Sequence, residues 1–251
     1  MLGPKIGHKR IHVRETDSTN SHASRLLHSS FPDEGTAIMA QFQKAGRGQG
    51  GSRWESAPGE NLLVSFILYP EFIAANDHFL INEAVSLAVQ ETVHALCNKP
   101  AFIKWPNDII VENSKIAGIL IENTIRNDKI IQSITGIGLN INQLNFGNYF
   151  PKAISLKELT GKELTPDGCL DVLSSYLDKW YQILRTSQHE RIRSAYADVL
   201  YRKNLMSQFD SGNGKITGII SGVSDNGQLM ITTAEGKKSF FNNKEVKLLS
   251  F

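Results

Sequence analysis

The segment between residues 101 and 141 constrains the fold more than any other part of the chain. Its four runs rich in Ile and Val are separated by Asn, Asp and Gly residues, a pattern typical of short strands joined by tight turns. With three earlier runs included, the predicted strands lie at 11–15, 35–41, 61–68, 101–105, 109–112, 115–124 and 129–141. Strands so close in sequence pair most simply as antiparallel neighbours. We therefore predict an α+β fold on a mixed, largely antiparallel sheet.

Helical patterns flank these strands. Ser18, Thr19 and Asn20 supply N-cap chemistry for a helix that continues to about residue 27. Apolar residues then recur at helical spacing over 76–97. Three further helices are predicted after the last strand, at 154–159, 168–184 and 189–201. We expect the helices to cover one face of the sheet.

The sequence changes character from Gly212 onward. Short alternating runs are interrupted there by Asp-Asn-Gly and Glu-Gly turns, which indicates a small β-barrel-like module packed on the main domain. We therefore divide the chain into a main domain, residues 1–208, and a C-terminal β domain, residues 209–251.

Composition excludes several classes of protein. The 251 residues include 27 basic and 25 acidic side chains, for a net charge of +2, and the two signs are interspersed. This balance argues against a nucleic-acid surface, and no apolar run approaches the ~18 residues that a membrane span needs. Cys97 and Cys169 are too few and too far apart for a disulfide framework or a zinc site. We expect a cytoplasmic protein without DNA or membrane partners.

A glycine-rich loop, residues 43–59, is the first candidate for chemistry. Gly46, Gly48 and Gly51 formally match a dinucleotide-binding fingerprint, but a Pro and a Gly follow where the required helix should continue. No Gly-Lys-Ser/Thr follows either, which excludes a Walker A loop. Two readings remain: a flexible surface loop, or a mobile backbone that wraps an anion with the help of Arg47 and Arg53.

Three more motifs lie on the predicted strands. The first, Lys104-Trp105-Pro106-Asn107-Asp108, ends a strand in a proline-locked corner, and by itself could be an ordinary turn. In the second, Lys115-Ile116-Ala117-Gly118, a lysine and a glycine interrupt an apolar strand, as expected where a ligand approaches the backbone. The third, Gly136-Ile137-Gly138-Leu139-Asn140, is either a bulged strand or a surface for a flat ligand.

Taken together in this order, the motifs resemble the catalytic region of the biotin–protein ligase family. The matching elements are Ser18-Thr19-Asn20, the start of the glycine-rich loop at 43–48, and the segments at 104–108, 115–120 and 136–141. The resemblance implies a fold like that of class II aminoacyl-tRNA synthetases, with a terminal SH3-like domain. It also implies a ligase-only type, without the winged-helix domain that lets some members act as repressors.

The resemblance further implies a reaction. Biotin and ATP, with Mg²⁺, would form biotinyl-adenylate, and the biotin would pass to a lysine of a biotin carboxyl carrier protein or domain. Lys115 would bridge carboxylate and phosphate, Arg47 would clamp the phosphoryl group, and Asp108 would accept a proton from the carrier lysine, orient that lysine, or serve only a positional role. A homodimer is left open.

The same resemblance assigns two sets of binding residues. Biotin would contact Ser18, Thr19, Asn20, Gln43, Gly46, Arg47, Gly48, Gln49, Lys115, Gly118, Gly136 and Gly138. ATP would contact Arg47, Arg53, Trp54, Lys104, Asn107, Lys115 and Asn140.

The sequence departs from the family pattern at Gln49, where many relatives carry a second basic residue. Either the adenylate escapes more readily, or Arg53 replaces the missing charge; we favour the second outcome, because Gly50 and Gly51 let the loop redirect Arg53. Two alternative functions remain. A lipoate or octanoate ligase or transferase would use the same fold, and a DNA-binding regulator would need a helix-turn-helix segment that the sequence does not show.

Overall fold

The computed structural model describes residues 5–149, 151–212 and 214–249 and contains two sheets. The larger sheet has seven strands in the order β1-β2-β3-β7-β6-β5-β4. Its strands are β1 Arg10–Thr16, β2 Ala37–Gln43, β3 Asn61–Leu68, β4 Phe102–Lys104, β5 Asp108–Val111, β6 Ser114–Arg126 and β7 Lys129–Asn140. Only the β1–β2 pair among them is parallel, which confirms the predicted mixed, largely antiparallel sheet.

Helices cover both faces of the large sheet. They are α1 Thr19–Ser29, α2 Phe79–Cys97, α3 Leu156–Thr160, α4 Pro166–Arg185 and α5 His189–Asp198. Every residue of β3 is buried. Alternate residues divide between two clusters: Ile38 and Ile67 pack with Ala23 of α1, while Phe66 and Leu68 belong to the larger core that α2 and α4 cover. The prediction that helices cover one face is therefore wrong, because a strand buried on both faces needs cover on both.

Local signals account for several helix ends. Ser18 caps α1 by accepting a hydrogen bond from the amide of Ser21, as its N-cap chemistry predicted. Helix α5 ends at Asp198, before the predicted residue 201. The chain leaves the helix there because Ile103 of β4 donates to the carbonyl of Val199 and accepts from the amide of Tyr201, 2.8 Å in each case.

The second sheet has five antiparallel strands in the order β11-β10-β9-β8-β12. Its strands are β8 Met206–Asp210, β9 Lys215–Val223, β10 Leu229–Thr233, β11 Lys238–Phe241 and β12 Lys247–Leu248. Buried Phe209, Ile220 and Leu229 join the main core, as expected for a small module packed on the large domain. Closure into an SH3-like barrel and the boundary at 208/209 stay predictions. Residues 1–4, 150, 213, 250 and 251 of the predicted domains lie outside the described residues.

None of the helices in the described ranges combines the length and the hydropathy that crossing a membrane requires.

A buried carboxyl group lies between α2, α5 and the turn before β10. Glu83 is 5% exposed, and burial raises its pKa to about 8 from an ordinary value of 4.5. Arg193 opposes this rise, whereas Asp225 and Glu190 add to it. The folded protein therefore favours the neutral acid at this position.

We predict that Glu83→Gln stabilises the protein increasingly as pH rises from 5 to 8.5. Below about pH 4.5 the carboxyl group is neutral in both the folded and the unfolded wild type, so its ionisation does not affect the free energy of unfolding. Between about pH 4.5 and 8 it ionises only in the unfolded state, so the free energy of unfolding falls, by on the order of a few kcal/mol once pH passes about 8. Glutamine carries no such charge. Urea unfolding across this pH range measures the difference, with Glu71→Gln, at an exposed position, as the control. A difference independent of pH would contradict the assignment.

Candidate active site

A cavity of about 640 Å³ lies between the glycine-rich loop, the large sheet and the second sheet. Most of the residues predicted for the site line it: Ser18, Thr19, Asn20, Gln43, Arg47, Gly48, Gln49, Arg53, Trp54, Lys104, Asn107, Asp108, Lys115, Gly118, Gly136 and Gly138. The structure thus brings together residues that are more than a hundred positions apart in sequence.

The start of α1 forms a buried polar wall. Gln43 Oε1 accepts from the amide of Thr19 at 2.7 Å and from its hydroxyl at 3.1 Å. The Ser65 hydroxyl lies 2.7 Å from Thr19 Oγ1 and 2.6 Å from Asn20 Oδ1. Because Thr19 and Asn20 are both under 5% exposed, this network holds the helix start rigidly against β2 and β3.

Glu122 connects this wall to the glycine-rich loop. Its Oε2 accepts from Asn20 Nδ2 at 2.7 Å, and its two oxygens form a bidentate pair with the Arg47 guanidinium, 2.9 Å for each contact. Sequence reasoning missed Glu122. A signal was available, since a single carboxylate ends the apolar run that begins at Lys115.

A row of glycines across the sheet makes room for the loop. Gly118 of β6 and Gly138 of β7 are paired directly opposite each other, so both side-chain positions lie on one face. The Trp54 indole fills the gap: a Cβ at Gly138 would come within 2.4 Å of it, and a Cβ at Gly118 within 2.9 Å. At Gly136 the corresponding space holds the Asn20 amide. In this structure the glycines accommodate protein side chains, and the predicted backbone access for a ligand stays a prediction.

Two lysines share one carboxylate in the wall formed by β4, β5 and β6. Lys115 Nζ lies 2.5 Å from Asp108 Oδ1, and Lys104 Nζ lies 3.9 Å from Oδ2. Burial lowers the pKa of Lys104; Asp108 opposes that shift, and Lys115 and Lys247 add to it. The wall therefore has more positive than negative charge, which suits it to anionic ligands.

A register shift positions Lys115. Ala117 pairs with Ile109 but Lys115 pairs with Ile110, so Ile116 is an extra residue on its strand. Such bulges redirect neighbouring side chains. The backbone of Lys115 is also held on its other side, where its amide donates to Lys152 O at 2.7 Å and its carbonyl accepts from Ile154 N at 2.9 Å.

The proline corner joins the site to the second sheet. The Trp105–Pro106 peptide bond is cis. The Trp105 indole N–H donates to Gly227 O at 2.9 Å, and Asn82 donates to the carbonyl of Pro106 at 2.7 Å. The Asn107 side-chain amide donates to Ile119 O at 2.7 Å, so one of its N–H groups is already bonded within the protein.

Two predicted residues do not line the cavity. Asn140 is 3% exposed and its amide donates to Ile154 O at 3.0 Å, which ties β7 to the segment before α3; its contact with adenine or ribose stays a prediction. Gly46 is buried, and a Cβ there would come within 2.3 Å of the Trp54 carbonyl oxygen. Its role is to let the two sides of the loop approach each other.

The second sheet contributes wall residues that sequence reasoning missed. Phe209, Asn243, Lys244 and Lys247 line the cavity. The cluster of lysines near the end of the chain was a signal, but nothing in the sequence placed it against the glycine-rich loop.

Comparison with known proteins agrees with this geometry. Residues 13–140 match the model of the biotin/lipoate A/B protein ligase family. This chain belongs to that family. A biotin–[acetyl-CoA-carboxylase] ligase of Paracoccus denitrificans is 30% identical over 236 residues, covering 90% of this chain and 95% of the relative. The bifunctional ligase/repressor BirA of Bacillus spizizenii is 28% identical over 242 residues, covering 94% and 73%.

A solved structure resembles nearly the whole chain. A biotin protein ligase from Aquifex aeolicus, solved in complex with biotin and ATP, superposes with a TM-score of 0.79 at 27% identity and covers 96% of this chain and 99% of its own. The family model covers residues 13–140, so the large sheet apart from the first three residues of β1 lies within the ligase-family match, as does the polar wall, whereas the second sheet lies outside it.

We predict that Gly138→Ala displaces Trp54 without unfolding the domain, because the added methyl group meets a loop side chain and not the sheet backbone. Overpacking of this kind costs about 1 to 3 kcal/mol. Tryptophan emission should shift to longer wavelength. The same substitution in a Trp54→Ala background should add no further change, and an equal shift in both backgrounds would refute the contact.

Proposed function

We propose that this chain is a biotin–protein ligase. A biotin carboxylate oxygen attacks the α-phosphorus of ATP and pyrophosphate leaves; the amine of a carrier lysine then attacks the acyl carbon of biotinyl-adenylate and AMP leaves. The observation that carries the proposal is the Lys115–Asp108 pair, 2.5 Å apart, in one cavity with the polar wall of α1 and the Arg47 loop. The ligase names of the full-length relatives support the choice of biotin.

The cavity lining offers groups suited to both substrates. Biotin has a ureido ring that needs fixed polar partners and an aliphatic tail that needs an apolar slot. Ser18, Thr19 and Gln43 supply polar groups, and Trp54 supplies an apolar surface beside Gly118. Arg47, Arg53, Lys104 and Lys115 would receive ATP. Gln49 lines the same cavity, and so does Arg53, which is expected to supply the positive charge that Gln49 lacks.

Lys115 is the residue best placed to bring the two anions together. A carboxylate and an α-phosphate repel each other, and a fixed ammonium between them is most favourable in the transition state, where negative charge builds up. The bulge and the backbone contacts fix the strand at Lys115, and Asp108 holds its ammonium. We therefore favour a positioning role for Asp108 in the first step; a role toward the carrier lysine in the second step stays open.

Arg47 forms an ion pair with Glu122 that a ligand could replace. Both side chains are more than a third exposed, 46% and 37%, so the pair contributes little to stability, about 1 kcal/mol or less. A phosphate can therefore compete for the guanidinium at small cost. This supports the proposed clamp, in which Arg47 moves from Glu122 to the phosphoryl group when ATP binds.

Among the described residues, Asp108 is the only carboxylate that lines the cavity, and Lys115 already engages it. The protein therefore offers no cluster of carboxylates for Mg²⁺ here. We expect any Mg²⁺ to enter with the phosphates of ATP, as their counter-ion.

The finer architecture and the partners are also proposals. We assign residues 1–208 to the ligase domain and 209–251 to an SH3-like domain; the five-stranded sheet supports a second domain, although its strand β8 begins at Met206, before that boundary. The partner would be a biotin carboxyl carrier protein or domain. Homodimerisation can be tested by sedimentation.

The function is tested by incubating the protein with ATP, Mg²⁺ and a purified biotin carboxyl carrier domain, with either biotin or lipoate as the acid. Mass spectrometry of the carrier should show biotin addition at one lysine and no lipoyl addition. Lipoyl addition in place of biotin addition would favour the alternative activity of the same family.

We predict that Lys115→Ala lowers the rate of biotin-dependent pyrophosphate release at least a hundredfold, because it removes a charge used mainly in the transition state. Lys115→Arg should rescue poorly, since a planar fork cannot replace a point charge between two anions. Circular dichroism should show an unchanged fold. Lys129→Ala, at an exposed position at the start of β7, is the matched control. Near-normal release by Lys115→Ala would remove this residue from the mechanism.

A further inference from the structure

The turn between β11 and β12 is braced so that it presents Lys244 in a fixed position. The amide of Asn242 donates to Glu245 Oε2 at 2.6 Å, its side chain donates to Oε1 at 3.1 Å, and the amide of Glu245 donates back to the Asn242 carbonyl at 3.1 Å. Gln228 of the neighbouring segment donates to the Asn242 side chain at 3.3 Å. Such reciprocal bonds make a short turn rigid.

Lys244 reaches from this turn onto the tip of the glycine-rich loop. Its ammonium donates to the carbonyl of Gly50. Gly50 has a φ of +62°, and a Cβ there would lie 2.2 Å from Lys244 Cε, so the lysine occupies the space that a side chain would need. The positive φ favours glycine at this position, and the absence of a side chain leaves room for the lysine.

The rest of the loop is attached elsewhere. Arg47 is paired with Glu122, and Trp54 lies against Gly118 and Gly138, so both sides of the hairpin are fixed to the large sheet. In the ranges that the structure describes, no other hydrogen bond joins residues 49–52 to a residue outside the loop. The tip is therefore attached to the second sheet through Lys244.

We propose that Lys244 is a positioning residue that latches the loop tip to the second sheet and thereby slows the escape of the acyl-adenylate from the cavity. The retention of the intermediate rests on the proposed function, whereas the latch itself involves protein atoms only. The ammonium is exposed, so the contact is weak enough to open for substrate entry and for the carrier lysine. Every attachment of the loop that must break before the loop opens slows the escape of the intermediate.

The latch is tested first without substrates, by amide hydrogen exchange. The amides of Gly48 and Trp54 close the loop hairpin through bonds to Ser52 O and Gly46 O. In Lys244→Ala they should exchange about two- to tenfold faster than in the wild type, the range expected for the loss of one hydrogen bond. Lys244→Arg should restore slow exchange. Lys238→Ala, at another exposed lysine of the same sheet, should leave exchange unchanged.

The consequence is tested by the release of preformed biotinyl-adenylate, measured by rapid filtration. Release should be about two- to tenfold faster from Lys244→Ala than from the wild type or Lys238→Ala. Unchanged exchange in Lys244→Ala would overturn the latch, even if ATP binding weakened, because Lys244 would then act on the nucleotide directly. Faster exchange with unchanged release would overturn the role in retention. A wild type that makes no adenylate would instead refute the proposed function and leave the exchange result valid.

Discussion

The Glu122 carboxylate is the contact on which the arrangement of the site depends. It lies on β6, yet it binds Asn20 at the start of α1 and Arg47 in the glycine-rich loop, two segments that come far earlier in the chain. One of these contacts is rigid and the other is not. Asn20 is buried and also anchored through Ser65, whereas the Arg47 guanidinium is half exposed. Glu122 thus joins a buried polar wall to a loop contact that is about half exposed, and under the proposed clamp only the second contact would open.

The alternation of side chains across the strands explains why the cavity lies where it does. Asp108, Gly118, Gly138 and Leu63 follow one another across four strands in a single pairing row, so they share a face. The two central positions carry no side chain, and the row therefore has an acid at one end, an apolar residue at the other and a gap between them. Trp54 can lie in that gap only because both glycines are there.

Much of this could be predicted from the sequence because it is encoded in local patterns. The strands of the large sheet and the capped start of α1 follow from periodicity and turn chemistry, whereas half of the residues that line the cavity follow from the resemblance of the motifs to a known family. Helix cover on both faces was missed, since periodicity shows that β3 is apolar but not which elements cover it. The inward placement of Lys115 depends on a bulge, and strand sequences rarely show where pairing will shift.

Contacts between distant segments were beyond sequence reasoning altogether. Asn140 has the polar side chain that a nucleotide site could use, and its amide binds the buried segment at Ile154, because a buried carbonyl needs a donor. Lys244 and Lys247 belong to an ordinary run of surface charge until the second sheet folds against the first. Neither the bond of Asn140 nor the placement of the two lysines can be predicted before the segments that they contact are known.

Charge balance links the stability of the cavity to the presence of its ligands. Lys104 and Lys115 share the single carboxylate of Asp108, and the pKa of Lys104 is lowered by burial, with Lys115 and Lys247 adding to that effect. Bringing these ammonium groups together costs free energy in the protein alone. An anion placed among them removes part of that cost, so the same groups that strain the folded protein strengthen binding. A second carboxylate in this wall would relieve the strain and weaken the attraction for a phosphate. The excess of lysines over carboxylates is therefore a property of the site and is not compensated within the fold.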